Sequence, residues 1–261
     1  MTRAVEVSAD GTRRASDRTW VPEAPIALEY NGLSYAVMMA TPRDLDDFAV
    51  GFAIGEGLAA SAADIADLAV AEVEQGWIVR TTVTGLGIEA LGERVRTRVA
   101  ESSCGLCGIE NLAALAAPLP PVAKHRAIPA SAIFSALGQL RALQPLGRAT
   151  GAAHAAAWAD AHGAIGLLRE DVGRHTALDK LVGAAARMAD GPGLPLTPGF
   201  ILSTARCSYE IVEKAVRAGA TTLVTLSLPT SLAVERAAAA GLSLWALARA
   251  DSVLLVNDAS A

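Results

Sequence analysis

The hydrophobic and polar positions along this chain change character partway through, at a proline-rich stretch around Pro118, Pro120 and Pro121. Before it, residues 24–30 and 34–40 are short β-type runs. Asn31-Gly32 lies between them, and both residues tolerate positive φ, so a hairpin is expected. Thr41-Pro42-Arg43-Asp44 reads as a helix start, with Thr41 as cap, Pro42 at the first helical position and Asp44 completing a capping box. Leu45, Phe48, Ala49 and Phe52 follow at i, i+3, i+4 and i+7, a core-facing stripe. Residues 77–83 and 93–99 read as further strands. Ile109, Leu112 and Leu115 suggest a short helix before the prolines.

After the prolines, residues 131–143 read as a helix. Residues 152–159 and 164–169 read as strands joined by a turn near His162-Gly163. A helix over 174–188 puts Leu178, Leu181, Val182 and Ala185 on one face. The remainder alternates: strand 200–203, helix 209–218 with Gly219 as C-cap, strand 222–227, helix 231–240 with Gly241 as C-cap, strand 242–248, and a further strand within 251–256. Such alternation implies a parallel or mixed sheet with covering helices. The chain therefore divides into a disordered tail (1–20), a small α+β domain (21–100), a loop and linker (101–121) and an α/β domain (122–261), α+β overall.

Composition narrows the function. The chain has 261 residues, enough for a real buried core, and a net charge of −5, which argues against a general nucleic-acid binder. Three cysteines are no disulfide scaffold; one tight pair and an odd third suit a reducing compartment. The first twenty residues lack the apolar core of a secretory signal, and no apolar run reaches the ~18 residues of a membrane helix. A cytoplasmic, soluble protein is expected.

Ligands of such sheets bind beyond the carboxyl ends of parallel strands. Here those ends run into Arg169 to His175, into Thr204 to Ser208, into Pro229-Thr230-Ser231, and into Arg249. Helix N-termini with nearby Arg and hydroxyl residues suit phosphate groups. Gly85-Leu86-Gly87 is not a dinucleotide fingerprint, and no P-loop is present. His175 and Asp179, one turn apart, could face each other as an acid/base pair or belong to a structural charge cluster. His154 begins a strand. Cys207 reads as a small buried residue near a helix start. The remaining cysteines, Cys104 and Cys107, sit in S-S-C-G-L-C-G over 102–108. Zinc needs about four ligands and this pair supplies two; no second pair and no H-x-E motif exists, so no metal is expected. A redox dithiol is the stronger rival, although a thioredoxin context is lacking. The glycines let the backbone bend and leave a thiolate uncovered, which suits a sulfur atom carried as a persulfide.

Six blocks occur in order: T-P-R-D-L-D-D-F-A-V-G-F-A-I-G-E-G-L, S-S-C-G-L-C-G-I-E, T-G-A-A-H-A-A-A-W, R-E-D-V-G-R-H-T-A-L-D-K-L-V-G, A-R-C-S-Y-E-I-V-E-K and P-T-S-L-A-V-E. Together they resemble the formate dehydrogenase accessory sulfurtransferase family, FdhD, from about residue 20 to about 256. The resemblance implies a sulfur carrier. It would take persulfide sulfur from a cysteine desulfurase and pass it to the molybdenum bis(molybdopterin guanine dinucleotide) cofactor of formate dehydrogenase, bound as substrate with its guanine nucleotide ends held by the protein. It also implies a homodimer and a second domain like cytidine deaminase, a three-layer α/β/α arrangement with a mixed sheet. Cys104 matches the persulfide-carrying cysteine and Cys107 the second of the pair. His154, Glu170, Asp171, Arg174, His175, Arg206 and Ser208 fall in matching blocks. Leu247, Ala248, Arg249, Ala250, Asp251 and Ser252 match the segment assigned to cofactor binding, without a second basic residue near Ser252. Thiol-disulfide exchange and non-catalytic cofactor insertion are the alternative functions.

Overall fold

The computed structural model describes residues 4–89, 91–92, 117–189 and 198–260. Cys104 and Cys107, the strand expected over 93–99 and the helix expected near Leu112 lie outside the described residues.

A four-stranded sheet forms from β3 (Ala24–Tyr30), β4 (Leu33–Ala40), β5 (Ile65–Val73) and β6 (Gly76–Val83), in the order β4-β3-β6-β5. Asn31 and Gly32 take the expected positive φ, 48° and 80°, in the β3–β4 turn. The tail expected to be disordered contains a hairpin, β1 (Ala4–Val7) against β2 (Arg13–Ser16), closed by Gly11 at φ 83°. Its four-residue strands have mostly exposed side chains, so little core burial marks them in the pattern.

Helix α1 (Leu45–Gly55) begins later than its capping signal suggests. Asp44 sits at the N-cap with φ 51° and makes no side-chain cap. Thr41 is engaged elsewhere, since its hydroxyl accepts from the Val172 N–H at 3.1 Å, across 131 positions of sequence. Nearly every residue of α1 is buried. That burial comes from two sides, the four-stranded sheet and α4 (Arg174–Met188). Two glycines let α1 and α4 touch backbone to backbone. A Cβ on Gly51 would stand 1.7 Å from the Asp179 carbonyl oxygen, and one on Gly183 would stand 1.9 Å from that of Asp47. Tyr30, Tyr35, Phe48 and Phe52 fill the opposite side of α1 with edge-on and stacked rings.

The second half builds a six-stranded mixed sheet from β7 (His154–Asp160), β8 (Ile165–Asp171), β9 (Gly199–Ser203), β10 (Thr222–Thr225), β11 (Ser243–Ala246) and β12 (Leu254–Asn257), in the order β12-β11-β10-β9-β7-β8. The alternation of strand side chains separates its faces. Ala156, Ile201, Leu223 and Leu244 point toward α4, α5 (Tyr209–Arg217) and α6 (Ser231–Ala240). Ala157, Phe200, Leu202 and Val224 point toward α2 (Ala130–Leu140). Strand β9 is buried on both faces, and each of Phe200, Ile201 and Leu202 contributes about 1.5–3 kcal/mol. The core beneath α4, α5 and α6 is continuous with that of the four-stranded sheet. The fold is thus mixed α+β, with six α-helices among the described residues and no barrel. No helix among those residues is long and apolar enough to cross a membrane.

Candidate functional site at the strand ends

Strand directions create one crowded edge. β8, β9, β10 and β11 run the same way, while β7 and β12 oppose them. The carboxyl ends of four strands therefore meet the start of β7, and His154 lies opposite Asp171 in the ladder. Helices α4, α5 and α6 all begin there, so three N-termini present their positive dipole ends to one edge.

The loops are laced to one another. Thr204 and Ala155 exchange hydrogen bonds at 3.0 and 2.9 Å. The Leu226 N–H donates to Ser203 O at 3.0 Å, the Thr230 N–H to Cys207 O at 3.0 Å and the Ala248 N–H to Thr225 O at 3.2 Å. Thr230 caps α6 through its hydroxyl. Each loop thus fixes the next, which gives the basic side chains a rigid base.

The residues singled out in the sequence separate into two groups. Asp171 is completely buried. Its carboxylate accepts from Lys180 Nζ at 2.6 Å, the Thr41 N–H at 3.0 Å and the Gly173 N–H at 2.7 Å. Burial pushes this carboxyl up, against the pull of Lys180 and the two N–H groups. Asp171 therefore holds the loop before Arg174 and offers nothing to a ligand. Glu170 points to the other face and caps the short helix α3 (Pro145–Thr150), accepting from Leu146 and Gly147 N–H at 2.8 and 2.7 Å. Asp179 pairs directly with Lys214, which reaches its Oδ1 at 2.7 Å, with Glu56 3.7 Å from the same ammonium; His175 acts on Asp179 only through longer-range charge.

The second group stays at the edge. His154 is half-buried, and its pKa is lowered, first by burial and then by the positive charges of Arg174, His175 and Arg206. Those four basic groups thus share one electrostatic neighbourhood. Arg206 is exposed. Ser208, the N-cap of α5, donates to Glu210 Oε2 at 2.9 Å, and His175 Nε2 lies 3.2 Å from the same oxygen. That separation suits charge attraction, but Nε2 makes no directed hydrogen bond. Glu210, in contact with both Ser208 and His175, is a residue of this group that sequence reasoning does not pick out; the signal for it is the S-Y-E at the start of α5.

The C-terminal segment closes the edge. Leu247 adopts φ 49°, a conformation unusual for a residue with a side chain, and its N–H reaches Ser227 O at 3.4 Å. Arg249 is turned back onto the protein, donating to the carbonyls of Leu226 and Ala248. Its N–H meets Ser252 O at 2.8 Å. Ala250, Asp251 and Ser252 are exposed. Cys207 is fully buried beside this edge, and burial pushes its thiol up to about 12, so it is no nucleophile. Among the described residues, no group of three or more His, Cys, Asp or Glu side chains is placed to hold a metal ion.

Known proteins share this sequence and fold. The family model described as FdhD/NarQ matches residues 21–260. A protein named sulfur carrier protein FdhD from Variovorax paradoxus (strain S110) is 42% identical over 240 residues, covering 92% of this chain and 85% of its own. Another of that name, from Xanthomonas euvesicatoria pv. vesicatoria (strain 85-10), is 44% identical over 227 residues, covering 87% and 79%. The crystal structure of a putative formate dehydrogenase accessory protein from Desulfotalea psychrophila superposes with a TM-score of 0.73 at 24% identity, covering 98% of this chain and 96% of its own, and so shares the fold. With a family match over most of its length and relatives above 40% identity, the chain belongs to the FdhD/NarQ family.

Proposed function

We propose that the chain is a cytoplasmic sulfurtransferase, acting as a homodimer, which loads sulfur on Cys104 and delivers it to the bis(molybdopterin guanine dinucleotide) cofactor of formate dehydrogenase. In loading, the Cys104 thiolate attacks the terminal sulfur of a cysteine desulfurase persulfide. The sulfur–sulfur bond of the donor breaks and the donor cysteine leaves as a thiolate, without net oxidation. Delivery returns Cys104 to the thiolate and leaves a sulfido ligand on the metal of the substrate cofactor, whose metal supplies the two electrons that reduce sulfane sulfur. Cys107 accompanies Cys104 as the second thiol of the pair.

The observation that carries the cofactor half of this reading is the strand-end edge. Three helix N-termini converge with His154, Arg174, His175, Arg206 and Ser208, a setting that favours the diphosphates of a dinucleotide. Incubation with a desulfurase and cysteine is expected to add about 32 Da, one sulfur atom, to Cys104. A Cys104→Ala variant should lose that adduct and fail to activate formate dehydrogenase. Activation by the variant would instead leave a role in cofactor insertion alone.

A further inference from the structure

The second residue of α5 is a buried carboxylate beside the second residue of α4, a histidine. Glu210 is 9% exposed. Its Oε2 accepts from Ser208 and faces His175 Nε2, while Oε1 has no partner among the described residues. His175 Nε2 is likewise sealed from solvent, and Glu210 Oε2, 3.2 Å away, is the charged group it faces. The carboxylate–imidazole pair is thus buried, loosely aligned and short of one partner at Oε1 among the described residues.

His175 stands on the first turn of α4, near the N-terminus of α5, in the basic neighbourhood it shares with Arg174, Arg206 and His154. Asp179, one turn along α4, is engaged by Lys214, which also faces Glu56. Glu210 supplies the nearest opposing charge, with Asp179 acting from farther off. Burial pushes its carboxyl up, but His175, Ser208 and Arg174 outweigh burial and hold it below the usual carboxylate range. It is ionised wherever the protein is folded near neutral pH.

We propose that Glu210 is a positioning residue that holds the His175 imidazole as a two-sided donor, Nε2–H toward the carboxylate and Nδ1–H toward a phosphate group bound at the strand ends. The proposal rests on the anion-binding reading of that edge. A neutral ring with its proton on Nε2 presents only an acceptor at Nδ1, which repels phosphate. Wherever the free ring is neutral, binding draws one proton from solvent onto Nδ1, and the Glu210 carboxylate 3.2 Å from Nε2 makes that uptake favourable.

The test is calorimetric titration of guanosine diphosphate into the full chain between pH 7 and 8.5, with 15N NMR of the histidine rings. Wild-type affinity should fall as pH rises, and the bound His175 ring should carry both protons. Glu210→Gln keeps the shape and the Ser208 contact but removes the charge; it should bind about tenfold more weakly at pH 7, with a flatter pH profile. Unchanged affinity and pH profile in Glu210→Gln, or a singly protonated ring in the wild-type complex, would overturn the proposal. Absence of any wild-type binding overturns the anion reading and the Nδ1 contact with it. The 15N spectrum of the apo protein then decides the hold on Nε2 separately: Glu210→Gln must move the His175 Nε2 resonance, and an unmoved resonance sinks it. Should Glu210→Gln fail to fold, the wild-type NMR titration carries the test by itself.

Discussion

The block R-E-D-V-G-R-H divides at Gly173 into halves with opposite fates. Before it, Arg169, Glu170 and Asp171 lie on β8, where side chains alternate between faces. Arg169 turns toward α1 and meets Asp47 at 2.8 Å, and Asp171 turns the same way to Lys180. Glu170 turns to the other face and caps α3. After Gly173 the strand has ended, and Arg174 and His175 stand on the first turn of a helix at the open edge. Residues that look like one cluster of charge in sequence therefore serve two purposes. The strand half binds the layers together, and the helix half faces what the layers enclose.

The buried half is the easier to break. Gly183→Ala would place a methyl group 1.9 Å from the Asp47 carbonyl oxygen, a clash with backbone that no rotamer relieves. Parting α1 from α4 also withdraws Asp47 from Arg169 and Arg187. The expected loss exceeds about 5 kcal/mol, so the variant should be unfolded by circular dichroism. A folded variant with ordinary denaturant stability would show that the crossing is looser than described.

Lys180→Met follows. It strands the buried Asp171 carboxylate, at a cost of about 3–5 kcal/mol. Adding Asp171→Leu should recover only part of the loss, because the Gly173 and Thr41 N–H groups then lose their acceptor. Full recovery in chemical denaturation would mean that the carboxylate matters only as the partner of Lys180.

Arg206→Ala probes the other half. Arg206 is exposed, so the change should move stability by no more than about 0.5 kcal/mol. Guanosine diphosphate affinity should fall about tenfold, the worth of one charged contact to phosphate. A large stability loss with unaltered binding would place Arg206 with the structural half instead.

Much of this arrangement is legible in the sequence because local signals agree with tertiary ones. The Asn31-Gly32 turn, the stripe of α1 and the bounds of α4 and α6 follow from turn chemistry and periodicity. The convergence of His154 with the ends of β8 and β9 is legible in outline, since alternating strands and helices gather their loops at one end. Other features are hidden for physical reasons. Thr41 carries a good capping signal, but Val172 and Asp171 compete for it from more than a hundred residues away. Asp171 looks like a ligand-binding acid until Lys180 is seen against it, on a helix, α4, that proves buried on all sides. Helical spacing makes His175 and Asp179 neighbours, yet each finds its partner on α5, in Glu210 and Lys214. Strand β5 escapes the sequence pattern: its burial does not alternate cleanly, and only β6 beside it reveals the strand.

The smallest expected effect lies where the two halves touch, at His154, opposite Asp171 in the ladder but facing the basic groups of the edge. Its folded pKa lies below the ordinary histidine value of 6.5. As pH falls through about 6.5, the unfolded chain takes up a proton at this position before the folded protein does. Proton uptake by the unfolded state favours unfolding, so stability should decline over that interval and be undiminished above it. Glu210 acts in a separate, lower window: its folded pKa is depressed, so the stability it adds is present above about 4.5 and lost below. His154→Asn should therefore flatten the decline just below about pH 6.5 in denaturant unfolding while leaving the acid limb in place. An unaltered slope would mean that His154 protonates as readily in the folded protein as in the unfolded chain, and that Arg174, His175 and Arg206 do not press on it.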